Sequence, residues 1–298
     1  MSLTPEHAKL RLNNLETIEP LLGALRTISM GTWRLAQKKV AQMVQYEQNY
    51  HAIIKEILPH IKPPKNRKPA REDAEGLADS IILILGSERG LCGRFNETLA
   101  ENAENWINQQ GFRSHQIWAM GSKMVRTLER MGISIGWRNP LPSGALVSYQ
   151  DSYLLTQKWL MQFEAYDFNQ LTVLYNQPIR GGQIQFASLN IFPYEIDYRA
   201  SILTESANRW PPPIIETDPW GIYHQIIQHH IASHFYQALL QSAAAENSAR
   251  YRKMEEAKQN AEEIIVELKW IINAERKRQI TQEMQELAVG AGLMDQGK

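Results

Sequence analysis

Residues 81–96 read IILILGSERGLCGRFN. An apolar run from Ile81 to Leu85 ends in Gly86, Gly90 and Gly93 follow, and helix-like sequence begins at Phe95. A strand that passes through a glycine-rich turn into a helix is the opening of an α/β unit. Many phosphate-cradling loops start the same way, so the spacing decides. A dinucleotide loop needs G-x-G-x-x-G, and here Ser87-Glu88 displaces the second glycine. A P-loop needs Lys-Ser/Thr after its last glycine, and here Arg94-Phe95 follows Gly93. Glu88 would also set a negative charge against a phosphate. The glycines are read instead as permitting tight turns at a strand-to-helix junction.

Downstream of this loop, short β-rich runs alternate with helical ones. Strands are predicted at 80–86, 116–120, 134–137, 171–176 and 185–191, and helices at 95–110, 122–131 and 150–163. The order β, α, β, α, β, α, β, β predicts a parallel sheet wrapped by helices, with an antiparallel strand added at the end.

Both flanks are helical. From Leu3 to Leu58 apolar residues recur at helical steps, as in Leu15, Ile18, Leu22, Leu25, Ile28, Ala36, Val40, Met43, Tyr50, Ile54 and Ile57. Thr4-Pro5-Glu6 suits a helix start, Pro20 is expected to kink or split the helix, and Pro59, Pro63 and Pro64 end it. Residues 60–71 are basic and then turn acidic, which suits a solvated linker. Trp210 to Pro213 forms a stiff connector. Beyond Asp218 a helix of over 60 residues is predicted, roughly 100 Å at ~1.5 Å per residue, too long for a compact domain to bury. Ala257, Ala261, Ile264, Leu268 and Ile271 form a coiled-coil seam, resuming after a register break as Ile280, Met284 and Leu287. The expected fold is therefore α/β with long helical arms: an antiparallel coiled coil of the N- and C-terminal helices plus a small Rossmann-like domain, a rod with a globe attached. The segments are 1–60 and 218–298 for the coiled-coil helices, 79–206 for the α/β domain, 61–78 for the linker and 207–217 for the connector.

Composition narrows the function. Lys plus Arg and Asp plus Glu are both 32, so the net charge is zero, without the basic surplus of a nucleic-acid protein. One cysteine, Cys92, excludes a disulfide within the chain and suits a reducing cytoplasm. The first residues have no apolar signal core, and no apolar run approaches the roughly 20 residues that span a bilayer, so direct bilayer insertion is not expected. His230 and His234 stand at i, i+4, but without the Glu of H-E-x-x-H or an evident third ligand they are a poor metal site. Neither a cofactor nor a catalytic residue is expected.

Two stretches resemble one family. Ser87 to Asn96 is similar to the S-D-R-G-L-C-G-G-[FL]-N signature of the gamma subunit of F-type ATP synthases, carried here by Arg89, Gly90, Leu91, Cys92, Gly93 and Asn96. Ala244 to Arg250 resembles that family's A-S-E-x-x-A-R; Asn273 to Arg276 resembles its N-x-x-R; Ile280 to Glu283 matches its I-T-x-E; Gly290-Ala291 matches its G-A. The helix–α/β–helix order agrees across the chain. There are departures too: Leu21 to Leu25 stands for I-T-K-A-M, Ile28 to Thr32 for V-A-A-x-K without its lysine, Tyr251 for Met and Lys277 for Gln. They mark a divergent branch, for which a variant, sodium-linked F-type complex is one setting; the sequence leaves the ion open.

The resemblance implies a non-catalytic rotor stalk that couples ion flow to ATP synthesis or hydrolysis. Its partners would be the alpha and beta subunits of the catalytic ring, the epsilon subunit and the membrane c-ring, at the cytoplasmic face of a membrane. It implies subunit contacts at Leu25, Arg26, Glu246, Arg250, Arg276, Lys277, Thr281 and Glu283. The uncharged stretch 287–294 would be a smooth tip. Two other readings stay open at this point: a nucleotide-binding enzyme with helical arms, and a coiled-coil scaffold.

Overall fold

The computed structural model describes residues 5–57, 60–61, 80–112, 115–142, 146–179, 183–194 and 215–290. The connector at 210–213, most of the linker and the last residues of the tip lie outside them. In chain order the elements are α1 (Pro5–Ile57), β1 (Ser80–Leu85), α2 (Phe95–Gln110), β2 (His115–Met120), α3 (Ser122–Arg130), β3 (Trp137–Asn139), α4 (Tyr149–Glu164), β4 (Gln170–Pro178), β5 (Ile184–Phe192) and α5 (Pro219–Gly290).

The sheet order is β3-β2-β1-β4-β5. β1 pairs in parallel with β2 and β4, β2 in parallel with β3, and β5 antiparallel with β4. The expected doubly covered sheet with an antiparallel edge is thus present. All six residues of β1 are buried, as a central strand covered on both faces requires. On one face Leu83, Leu85, Trp118, Leu171 and Val173 pack with Trp159 of α4 and Ile231, Phe235 and Leu239 of α5. On the other, Ile82, Ile84 and Leu174 pack with Leu99 and Ala103 of α2 and Met124 and Leu128 of α3. Gly86 closes β1 because a Cβ there would lie 2.3 Å from the Cβ of Met124.

The third strand differs from the sequence expectation. Pairing begins at Trp137, opposite Trp118, rather than at 134. Gly136 lies against the Gln116 side chain, 2.3 Å from where a Cβ would sit, and donates to the Ile117 carbonyl (2.8 Å). The approach to the sheet is therefore a glycine contact, and the ladder starts after it.

By contact density the chain divides into residues 29–250 and residues 1–28 with 251–298. The first unit holds the sheet and the inner part of each long helix. There Tyr50, Ile54 and Ile57 of α1 pack with Ile226 of α5. The second unit is an antiparallel helix pair. Arg26 meets Glu255 (2.6 Å), Glu19 meets Lys258 (3.2 Å) and Glu16 meets Lys269 (2.8 Å). Met254, Ala261 and Leu268 of α5 are buried alongside these ion pairs; of the first run of the predicted seam, Ala261 and Leu268 are thus buried, while Ala257, Ile264 and Ile271 are half-buried.

Three expectations about the arms are corrected. Pro20 does not split α1, which continues from Pro5 to Ile57. The proline is on an exposed side, where the carbonyl its ring leaves unpaired is open to water. Ile18 and Ile28 are 46% and 57% exposed, off the packed stripe. The resumed seam of Ile280, Met284 and Leu287 is also exposed, at 47%, 66% and 73%. The antiparallel register that sets Glu16 beside Lys269 brings α1 to its described start near residue 280 of α5, so among the described residues no helix of this unit runs alongside the later ones.

Candidate functional site

The signature loop is built around Ser87 and Asn96. Ser87 N donates to Asn96 Oδ1 (2.9 Å), and Asn96 Nδ2 donates to Ser87 Oγ (2.8 Å). Ser87 Oγ donates to the Arg89 carbonyl (2.9 Å). Cys92 Sγ lies 3.6 Å from Ser87 Oγ and packs with Phe95, Ala245 and Ala249. Burial pushes its thiol up, so it serves as a small packed residue and not a nucleophile. Leu91 has φ 67° and Gly93 φ 63°. The leucine holds this costly conformation while 59% exposed.

Glu88 is turned away from the loop interior onto the start of α3. Its oxygens accept from Ser122 Oγ (2.6 Å), Ser122 N (2.9 Å) and Leu141 N (2.9 Å). Burial raises its carboxyl, but these hydrogen bonds outweigh it and the net shift is downward. An anion at a helix N-terminus is stabilised by the helix dipole as well. A carboxyl held below its ordinary range contributes stability above that range and loses it as pH falls through the folded value. We therefore expect Glu88→Gln to cost about 1 kcal/mol at pH 7 and less near pH 3. Urea unfolding of variant and wild type at both pH values measures this; a cost that did not shrink in acid would contradict the assignment.

Glu246 and Arg250 lie one turn apart on α5 and form an ion pair under the same loop. Their side chains are only 13% and 9% exposed. Arg250 also donates to the carbonyls of Gly90 (3.1 Å) and Arg89 (3.3 Å) and to Asn247 Oδ1 (3.0 Å). Burial drives the Glu246 carboxyl up and the Arg250 cation opposes it. The two conserve no exposed charge; they clamp the loop to α5 from within. Sequence reasoning paired both stretches with one family but had no means of joining them, because they are 160 residues apart.

The remaining predicted contacts lie on the helix pair. Arg26 is engaged with Glu255, whose hydrogen bond raises the guanidinium and is matched by a lowered Glu255 carboxyl. Leu25 is half-buried beside it. Arg276, Lys277, Thr281 and Glu283 are all exposed. Thr281 Oγ1 donates to the Lys277 carbonyl (2.9 Å), and Arg278 pairs with Glu275 (3.1 Å). Away from the arms, His230 and His234 stack at 4.4 Å, and His234 Nε2 is 3.4 Å from Glu47. Among the described residues no three His, Cys, Asp or Glu side chains converge to hold a metal. No described helix is long and apolar enough to cross a membrane.

A doubly covered sheet whose glycine loop is clamped to the C-terminal helix, together with a long helix at either end of the element order, defines an α/β protein with helical arms. Comparison with known proteins gives the family. A match to the ATP synthase family spans residues 4–293, and the chain belongs to that family. It is 25% identical to the ATP synthase gamma chain of Rubrobacter xylanophilus over 97% of this chain and 98% of the relative. With the gamma chain of a Wolbachia from Brugia malayi it shares 26% identity, over 95% and 96%. Its fold is similar to a chain of the Euglena gracilis mitochondrial ATP synthase, solved as OSCP, F1 and c-ring, at a TM-score of 0.60 and 16% identity over 98% and 95% of the two chains.

Proposed function

We infer that this chain is the gamma subunit, the central rotor stalk, of an F-type ATP synthase. It couples ion translocation through a membrane ring to ATP synthesis or hydrolysis in a ring of alpha and beta subunits, with the epsilon subunit and the c-ring as its other partners. The observation that carries this reading is the family match from residue 4 to residue 293, which takes in both helical arms as well as the sheet. As a subunit of that complex the chain is non-catalytic. Its share of the mechanism is differential contact: each orientation of an asymmetric shaft stabilises one conformation of each surrounding subunit. We assign catalysis to the beta subunits and place the chain at the cytoplasmic face of the membrane. The glycine loop supports this over a nucleotide-binding enzyme, since it lacks the P-loop Lys-Ser/Thr pair.

Arg276, Lys277, Thr281 and Glu283 are proposed as contacts that form and break with rotation. Arg276 and Glu283 lie seven residues apart and so share a helical face. Exposed ion pairs are worth only about 0–1 kcal/mol, too little to hold a complex together but enough to alter a rate up to about fivefold. Arg276→Ala and Glu283→Ala should therefore assemble normally and change ATP turnover per complex about two- to fivefold. Lys277→Gln should be milder. ATPase rate and gel filtration of the same reconstituted sample provide the check. Wild-type turnover in both alanine variants would identify these charges as a solvated face.

A further inference from the structure

Beside the signature loop, α2 and α3 enclose a depression of about 280 Å³. The loop backbone at Gly90, Leu91 and Gly93 lines one side, and Lys123, Arg126 and Arg130 of α3 line the other. The three cations stand at i, i+3 and i+7, on one face of the helix. Glu97 shares the rim and accepts from Arg130 (3.0 Å). Three positive charges against one negative leave a formal surplus of two at the opening. Glu88 accepts from Ser122 and Leu141 but stays anionic within electrostatic reach of Arg126, so it offsets part of this surplus from behind α3.

The backbone favours the same ligand. Gly93 has φ 63°, and Arg94 follows with φ −83° and ψ 22°. A left-handed residue followed by a right-handed one turns successive N–H groups to one side, a concave arrangement that receives anions. We infer that this depression binds a small oxyanion of the inorganic phosphate class. Its volume is at the lower edge of small-molecule pockets, which suits a phosphate or diphosphate and not a nucleoside joined to one. Arg126 and Arg130 are exposed, so screening by salt sets the expected affinity in the millimolar range. A bound anion would bridge α3 to the loop that presents Leu91. The site does not depend on the rotor role.

The test is titration of the ¹⁵N-labelled full chain with inorganic phosphate against chloride at constant ionic strength, following the amides of Gly93, Lys123 and Arg126. The expected result is a saturable shift with a millimolar midpoint. It should weaken at least tenfold in the Lys123→Gln/Arg126→Gln variant. It should persist in Arg94→Gln, which removes a neighbouring cation engaged with Glu101 (2.9 Å). A non-saturating response, or equal weakening in Arg94→Gln, would reduce the depression to a diffuse positive field and overturn the site. So would an absent phosphate response combined with impaired subunit assembly in the double variant, which would assign the cations to an acidic side chain of a partner subunit.

Discussion

Arg250→Met should destabilise the sheet-bearing unit by about 3–5 kcal/mol. It would remove the cation from a Glu246 carboxylate that is almost fully enclosed and leave the carbonyls of Arg89 and Gly90 without their donor. A buried charge stripped of its partner costs far more than the pair contributes, because desolvation is no longer offset. Replacing both members with apolar residues removes that charge. Glu246→Met/Arg250→Met should therefore be more stable than Arg250→Met alone. Urea unfolding followed through Trp118 and Trp159, which are buried in the sheet core, reads both quantities. A loss below about 1 kcal/mol in the single variant, or a double variant worse than it, would contradict the clamp.

Leu268→Asp should separate the helix pair. Leu268 is 2% exposed within the unit formed by residues 1–28 and 251–298, next to the ion pair of Lys269 with Glu16. Truncation to alanine should cost about 2–5 kcal/mol; an unpaired carboxylate there should cost more. The two helices have few other buried side chains over this stretch, so their pairing should be lost. Hydrogen exchange would then accelerate across residues 5–28 and 251–285 and stay unchanged in the β1 and β4 amides. Assembly with the catalytic ring should fail. A fully coupled complex carrying Leu268→Asp would show that the seam lies elsewhere.

Much of this architecture was legible in the sequence because its signals are local. β1 announces itself as a run of β-branched and leucine residues stopped by Gly86. The bounds of α2 at Phe95 and Gln110 follow from the glycine loop before it and Gly111 after it, which takes the left-handed φ of 66° that ends a helix. What could not be read depends on neighbours far along the chain. Glu88 faces α3 only because β1 and β2 lie side by side, and Arg250 reaches Gly90 only because α5 packs under the sheet. The periodicity of Ile280, Met284 and Leu287 was real, but no spacing rule shows where the partner helix ends. Pro20 was judged by its lost hydrogen bond without knowing that its side of the helix is open to solvent.

The central claim is rotation, and it is best measured directly. Cys92 is buried, so a cysteine placed at Leu154, 56% exposed on α4, can carry a bead selectively. With the catalytic ring of the reconstituted complex fixed to a surface, added ATP should drive this chain round in one direction through full turns. A bead that stays still relative to the ring while ATP is hydrolysed at the normal rate would contradict a rotor and favour a static scaffold.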